Sequence, residues 1–173
     1  VIFFMRLGLD LRCMTEGEAG GIFVYARELT SRLEKCIAPS ECIGITTGVT
    51  PTNLGVDFPV RHLRLPNKLL NTSLITAHWP HLDKIIAADV FFAPTPEYLG
   101  LRKGTPLVIT LHDLSFIEHP EYFTWRQRVW HRGLHVRWLL ERATRIISVS
   151  QHTAADARRL FPFTAEKLRV IHS

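Results

Sequence analysis

Seven short apolar segments alternate along the chain with helical segments, and this alternation restricts the fold more than any other feature. The apolar segments span residues 3–11, 42–46, 60–65, 89–93, 107–111, 145–149 and 168–171. They are rich in β-branched and aromatic residues, as strands covered on both faces are. Strands that alternate with helices predict an α/β fold with a doubly wound parallel sheet.

Helical periodicity is clearest in residues 22–35, and a second helix is predicted for residues 68–78. In the first helix the apolar stripe consists of Ile22, Ala26, Leu29 and Leu33. A last helix follows Ser150, whose hydroxyl is a suitable N-cap.

The most basic segment of the chain begins at Thr124, which forms a predicted capping box with Gln127. We expect one continuous helix here, with its apolar face formed by Val129, Gly133, Val136, Leu140 and Ala143. The opposite face carries Arg128, His131, Arg132, His135 and Arg142. Such a segment is either a solvated charged face over a core stripe, or a patch that contacts anionic lipid.

Composition is that of a single folded domain over residues 1–173, with 46% hydrophobic residues and a formal net charge of +5. The excess of positive charge favours anionic partners, but no nucleic-acid-binding motif accompanies it. The three cysteines, Cys13, Cys36 and Cys42, have no metal-ligand spacing and are expected to be buried, reduced thiols of a cytosolic protein. No apolar stretch approaches the roughly 18 residues that span a bilayer.

His112 and Asp113 follow the strand predicted for residues 107–111. Ligands of open α/β sheets bind outside the carboxyl ends of the strands, so His112 is a candidate functional residue. Asp113 is expected to orient the following loop by accepting bonds from nearby backbone N–H groups. Glu118, His119 and Glu121 are interpreted as a loop that hydrogen-bonds to itself.

Gly20 and Gly21 stand immediately before the first predicted helix. Glycines at a helix start let a ligand approach the backbone, and the free N–H groups there favour an anion. The spacing is not that of a dinucleotide-binding fingerprint. The pair equally fits a tight turn that permits close packing of the helix, and the sequence leaves both interpretations open.

A metal site is not expected. His78, His81 and Asp83 lie close together in sequence, but Pro80 interrupts the helix that would align the two imidazoles. A zinc site also needs a further ligand and closed geometry.

Together these segments resemble the amino-terminal half of a family 4 glycosyltransferase with the GT-B fold. The resemblance rests on "LGLDLR", "GGIFVYARELTSRL", "DVFFAPTPEYL", "PLVITLHDLSFIEHPEYF", "ATRIISVSQHTAADARRLF" and "EKLRVIHS", in the family's order. It implies a Rossmann-like, acceptor-binding domain of a retaining hexosyltransferase that uses a nucleotide sugar as co-substrate and no metal. Similar enzymes build bacterial polysaccharides or lipid-linked glycans, often by mannosyl transfer.

The resemblance also implies roles for individual residues. Gly20 and Gly21 would lie beside the donor diphosphate, and His112 would hydrogen-bond the transferred sugar. The other implied site residues are Asp10, Arg12 and Tyr25, which would line or brace the glycine loop, and Tyr98 and Ser150, near the rim of a cleft.

The chain ends at Ser173, where the donor-binding domain of this family would begin, so we expect that domain to be absent and the isolated chain to be inactive. The expected partners are a glycan or lipid-linked acceptor and a nucleotide sugar, without nucleic acid. A cytoplasmic location, with peripheral contact to the inner face of the membrane, agrees with the basic helix. The alternatives are a non-catalytic module that binds anionic ligands or glycans, and a peripheral membrane module.

Overall fold

The computed structural model describes residues 5–15 and 20–172. All seven predicted strands are confirmed, with ends that differ from the predicted ones by a few residues at most wherever the chain is described. The strands are Leu7–Asp10 (β1), Cys42–Thr47 (β2), Val60–Leu63 (β3), Val90–Ala93 (β4), Leu107–Leu111 (β5), Arg145–Ser148 (β6) and Leu168–Val170 (β7).

The strands form one seven-stranded sheet in the order β3-β2-β1-β4-β5-β6-β7. The pairs β1–β2, β1–β4, β2–β3, β5–β6 and β6–β7 are all parallel. Typical registers place Leu7 opposite Cys42 and Ile109 opposite Ile146. The predicted α/β, Rossmann-like fold class is therefore confirmed.

The chain divides into two compact units. Unit one comprises Val1–Pro94 and Tyr98–Pro106, and unit two comprises Thr95–Glu97 and Leu107–Ser173. The described helices of unit one are Gly21–Leu33 (α1), Asn67–Ala77 (α2) and Leu82–Ile85 (α3). Those of unit two are Ser115–Glu118 (α4), Trp125–Gly133 (α5), Val136–Arg142 (α6) and Gln151–Leu160 (α7).

Helix α1 confirms the first predicted helix but not all of its predicted stripe. Ala26 is completely buried, whereas Ile22 is 42% exposed. Thr30 takes a buried position instead, and its hydroxyl donates to the carbonyl of Ala26 at 2.7 Å. A polar residue is tolerated there because the helix backbone satisfies its hydroxyl.

The prediction of one continuous helix after Thr124 is wrong. The segment forms two helices, α5 and α6. His135 has a left-handed backbone (φ 47°, ψ 50°), which no α-helix contains. Because of this break, residues spaced at helical intervals across α5 and α6 no longer lie on one common face. Val129, predicted to lie on the apolar face, is 60% exposed, whereas Val136 and Leu140 are buried as predicted. The capping box of Thr124 and Gln127 is confirmed.

A buried carboxylate ties the loop of unit one that precedes β5 to α3. Asp83 is fully buried and accepts bonds from the Arg102 backbone at 3.0 Å, the Arg102 Nε at 2.5 Å and the Thr105 hydroxyl at 2.6 Å. Burial by itself raises the pKa of Asp83, but the bonds from Thr105 and Arg102 outweigh burial and the pKa is lowered.

We predict that Asp83→Asn lowers the free energy of unfolding by about 2–3 kcal/mol, since it removes a charge that three donors face while Arg102 stays half-exposed. Asp57→Asn, at an exposed loop position, is the control. Because the folded pKa lies below the unfolded one, the contribution of Asp83 is present above about pH 4 and is lost as the pH falls through the folded pKa. Urea unfolding between pH 3 and 7 should therefore show a shallower acid loss in the variant; equal slopes would contradict the assignment.

Candidate functional site

In unit one, a buried ion pair fixes the chain as it leaves β1. The Arg12 Nε lies 2.8 Å from the Asp10 Oδ1, and the Nη2 lies 2.6 Å from the Oδ2. The same Nη2 donates to the backbone carbonyl of Tyr98 at 2.8 Å. Asp10 and Arg12 are only 1% and 4% exposed, so they brace this segment rather than line an open surface.

Tyr98 and Tyr25 are the other predicted site residues of unit one. Tyr98 is only 6% exposed and packs inside the unit, and its position near the rim of a cleft stays a prediction. Its backbone carbonyl, however, belongs to the Arg12 brace. Tyr25 lies half-buried on α1. Residues 16–19, which complete the predicted glycine loop, lie outside the described residues.

The glycine pair marks the start of α1, as predicted. Gly20 is the N-cap in an extended conformation (φ −92°, ψ 169°), and Gly21 is the first helical residue. At both positions an added Cβ would meet no atom within 4 Å among the described residues, and neither glycine has the positive φ that favours this residue type. Within the described ranges, then, neither packing nor backbone conformation explains the pair. Among the described residues, the space beside the first N–H groups of this 13-residue helix is open, and such an arrangement suits an anion.

In unit two, Thr153 brings the ends of two strands together. The Thr153 hydroxyl donates to the backbone carbonyl of His112, just after β5, at 3.0 Å. The Thr153 backbone N–H donates to the Ser150 hydroxyl, just after β6, also at 3.0 Å. Ser150 is thus the N-cap of α7, as predicted, and the half-buried His112 lies at the end of its strand next to this cap. Thr153 has no sequence signature that would have indicated this link.

The loop after His112 is ordered mainly by Asp113. One carboxylate oxygen of Asp113 accepts bonds from the Ser115 backbone at 2.9 Å and from its hydroxyl at 2.5 Å, which confirms the predicted orienting role. His119 and Glu121 bond to each other at 3.1 Å, also as predicted. Glu118 differs, since it pairs with Arg159 of α7 rather than with its own loop.

His131 was expected on the basic face, either solvated or in contact with anionic lipid, but the structure packs its ring against two phenylalanines instead. Its imidazole stacks on Phe116 with ring centroids 4.5 Å apart and meets Phe123 edge-on at 5.1 Å. Its Nδ1 is shielded from solvent and has no partner among the described residues. Burial lowers the pKa of His131, and the nearby Asp113 carboxylate offsets this only in part. The ring is therefore neutral at physiological pH and packs as an aromatic residue.

Other candidate ligands do not assemble into a metal site. In residues 5–15 and 20–172 no cluster of three or more His, Cys, Asp or Glu side chains could hold a metal ion. Asp83 is committed to Arg102 and Thr105, as described above. Of the cysteines, Cys42 is buried and Cys13 partly so, but Cys36 is exposed, against the expectation of three buried thiols.

None of the described helices combines the length and the hydropathy needed to cross a bilayer.

Comparison with known proteins identifies a family and a solved structure of similar fold. The sequence model described as "Glycosyltransferase Family 4" matches residues 19–173. The chain is also similar to Anabaena HepE, whose crystal structure was solved in complex with UDP and glucose, at 18% identity and a TM-score of 0.55. That match covers 97% of this chain but only 44% of the HepE chain. No curated protein matches the chain.

Alanine substitution tests whether the glycine pair is needed for stability. Gly21→Ala should change the free energy of unfolding by less than about 1 kcal/mol, since among the described residues alanine fits the space and it favours the helix. Gly20→Ala should cost no more than about 1 kcal/mol, because alanine fits there too but is a poorer N-cap than glycine. Gly8→Ala is the control, because its Cβ would lie 2.7 Å from the Ala88 Cβ and should be clearly destabilising. Chemical denaturation measures all three. A loss above about 2 kcal/mol at Gly20 or Gly21 would restore the interpretation of the pair as a structural turn.

Proposed function

Because the chain belongs to glycosyltransferase family 4, we propose that it is the acceptor-binding domain of a retaining, nucleotide-sugar-dependent hexosyltransferase, such as a mannosyltransferase, of glycan or polysaccharide biosynthesis. The complex of HepE with UDP and glucose supports a nucleotide sugar as donor. The chain spans less than half of the HepE chain, which supports a second, donor-binding domain as a requirement for activity. No metal or other cofactor takes part in this proposal.

The observation that carries the proposal is the position of His112 within the matched region. His112 follows directly on a buried strand, and Thr153 and Ser150 fix its backbone to the N-terminus of α7. Because these bonds fix the backbone of His112, its half-buried imidazole is suited to hydrogen-bond a sugar hydroxyl with little reorganisation of the chain.

The glycine pair of unit one has a different proposed role. The N–H groups at the start of α1 would bind the diphosphate of the donor, and the absence of side chains there lets a phosphate come close to the backbone. Asp10 and Arg12 would act indirectly, by holding the segment between β1 and this helix.

The chemical task of such an enzyme is to separate a positively polarised sugar from a leaving diphosphate. Fixed dipoles that are already oriented stabilise such developing charge without reorganisation. The N–H groups of α1 would stabilise the negative charge of the diphosphate. His112 would position the sugar, and Asp113 would hold the adjoining loop in place through Ser115.

We predict that His112→Ala in the intact protein lowers kcat for sugar transfer by about 100-fold or more, since a positioned hydrogen bond at the reacting sugar is lost. The melting temperature should change little. His152→Ala on α7 is the control, because that side chain is 87% exposed.

Turnover of His112→Ala at the wild-type level would remove His112 from the reaction. Binding of glycans by the wild-type protein without transfer from any nucleotide sugar would instead favour a non-catalytic binding module.

A second candidate function, contact with an anionic membrane surface, has one specific observation in its favour. Helix α5 has no buried residue, and Trp125 and Val129 are 68% and 60% exposed one turn apart. Arg126 lies beside them, with its guanidinium 5.5 Å from the Trp125 ring. Exposed aromatic and apolar side chains flanked by arginine are typical of helices that lie in the headgroup region, here of the inner leaflet.

The membrane proposal predicts that the intact protein floats with anionic vesicles at low salt, and that Trp125→Ala with Val129→Ser abolishes most of this binding. Val49→Ser removes an equally exposed apolar side chain from a loop of unit one and should have no effect. Flotation that is unchanged in the α5 variant would dismiss this surface.

A further inference from the structure

Unit two contains a cavity of about 560 Å³ between α4, α5 and α6, a volume within the range of small-molecule sites. Its apolar walls are formed by Phe116, Ile117, Val136 and Trp138. Pro120 adds to these walls, and no Ser, Thr, Asn or Gln side chain contributes. The titratable side chains of the lining are Arg128, His131, Arg132, His135, Arg137 and one carboxylate, Glu141. The walls thus offer hydrocarbon contact and positive charge, but few of the neutral hydrogen-bonding groups that a free glycan requires.

Two arginines of α5 give the cavity its charge. Arg128 and Arg132 are exposed, and among the described residues neither forms an ion pair with a carboxylate. Arg128 donates its Nε to the Phe123 carbonyl at 2.9 Å, and Glu121 acts on it only at longer range. By contrast Arg137, also in the lining, is paired with Glu141 at 2.9 Å.

The spacing of the two arginines makes an anionic ligand more favourable. Arg128 and Arg132 stand four residues apart, so they share one face of α5, where like charges destabilise a helix. His131 lies between them in sequence and stacks on Phe116 at 4.5 Å. Since burial lowers its pKa, His131 adds a planar, neutral surface to the cavity and does not add a third charge. The cavity lining therefore combines two cationic side chains with aromatic and aliphatic ones.

We propose that this cavity binds a lipid phosphate, that is, a phosphate ester with an apolar chain, and that such a molecule is the acceptor or carries it. The inference rests on the proposed glycosyltransferase function and specifies its acceptor. The phosphate would bind Arg128 and Arg132, and the first carbons of the chain would lie against Phe116, Val136 and Trp138. Guanidinium groups suit phosphate oxygens because they can donate two parallel bonds.

Isothermal titration calorimetry of the intact protein with farnesyl phosphate, below its critical micelle concentration, tests the proposal. Farnesol and inorganic phosphate, which each present one half of the ligand, should both bind about 10-fold or more weakly than farnesyl phosphate. Arg128→Gln with Arg132→Gln should weaken farnesyl phosphate binding by about 10-fold or more. Arg158→Gln is the control, because Arg158 is an exposed arginine of α7 outside the lining of this cavity and should leave binding unchanged.

Three results would overturn the cavity proposal. They are equal binding of inorganic phosphate and farnesyl phosphate, an equal loss in the Arg158→Gln variant, and no saturable binding of farnesyl phosphate. Sugar transfer to a phosphate-free acceptor without farnesyl phosphate binding would also reject the cavity while leaving the proposed function intact. Binding that depends on Arg128 and Arg132, without transfer from any nucleotide sugar, would support the cavity and contradict the proposed function.

Discussion

Burial of the inner strands of the parallel sheet, such as β1, β4 and β5, is the constraint on which the candidate site depends. In β5, Leu107, Ile109 and Leu111 are all completely buried, and so is Thr110 between them. A strand in this environment cannot carry a charged side chain along its length without a large desolvation cost. Titratable groups can therefore appear only where the strand ends, which is where His112 and Asp113 stand. The same reasoning applies to β1, whose last residue, Asp10, is buried only because Arg12 neutralises it.

The sequence was sufficient to predict the fold because its signals are local. Strand positions follow from short apolar runs, and the helix starts at Thr124 and Ser150 follow from capping chemistry that acts over three residues. The parallel sheet follows from the alternation of these elements. The role of Asp113 was predictable for the same reason, since it bonds to a residue only two positions away.

Features that depend on contacts between distant residues were not predictable. The bond from Thr153 to His112 joins residues 41 positions apart, and the Asp83 network joins residues 19 and 22 positions apart. The packing of His131 was not predictable because it depends on Phe116, which lies on another element. The helical wheel also assumed one continuous helix, whereas the backbone turns left-handed at His135. Once α5 ends at Gly133, its orientation is set by the stacking of His131 on Phe116, which no periodicity in the sequence reveals.

Contact between His112 and the transferred sugar is the central feature of the proposed function. A crystal structure of the intact protein with its bound nucleotide sugar would test this most directly, through the distance from the His112 imidazole to the nearest sugar oxygen. We expect a hydrogen bond of about 3 Å, with the His112 carbonyl still accepting from Thr153. A bound donor whose sugar lies beyond about 6 Å from the imidazole, too far even for one bridging water, would contradict the account.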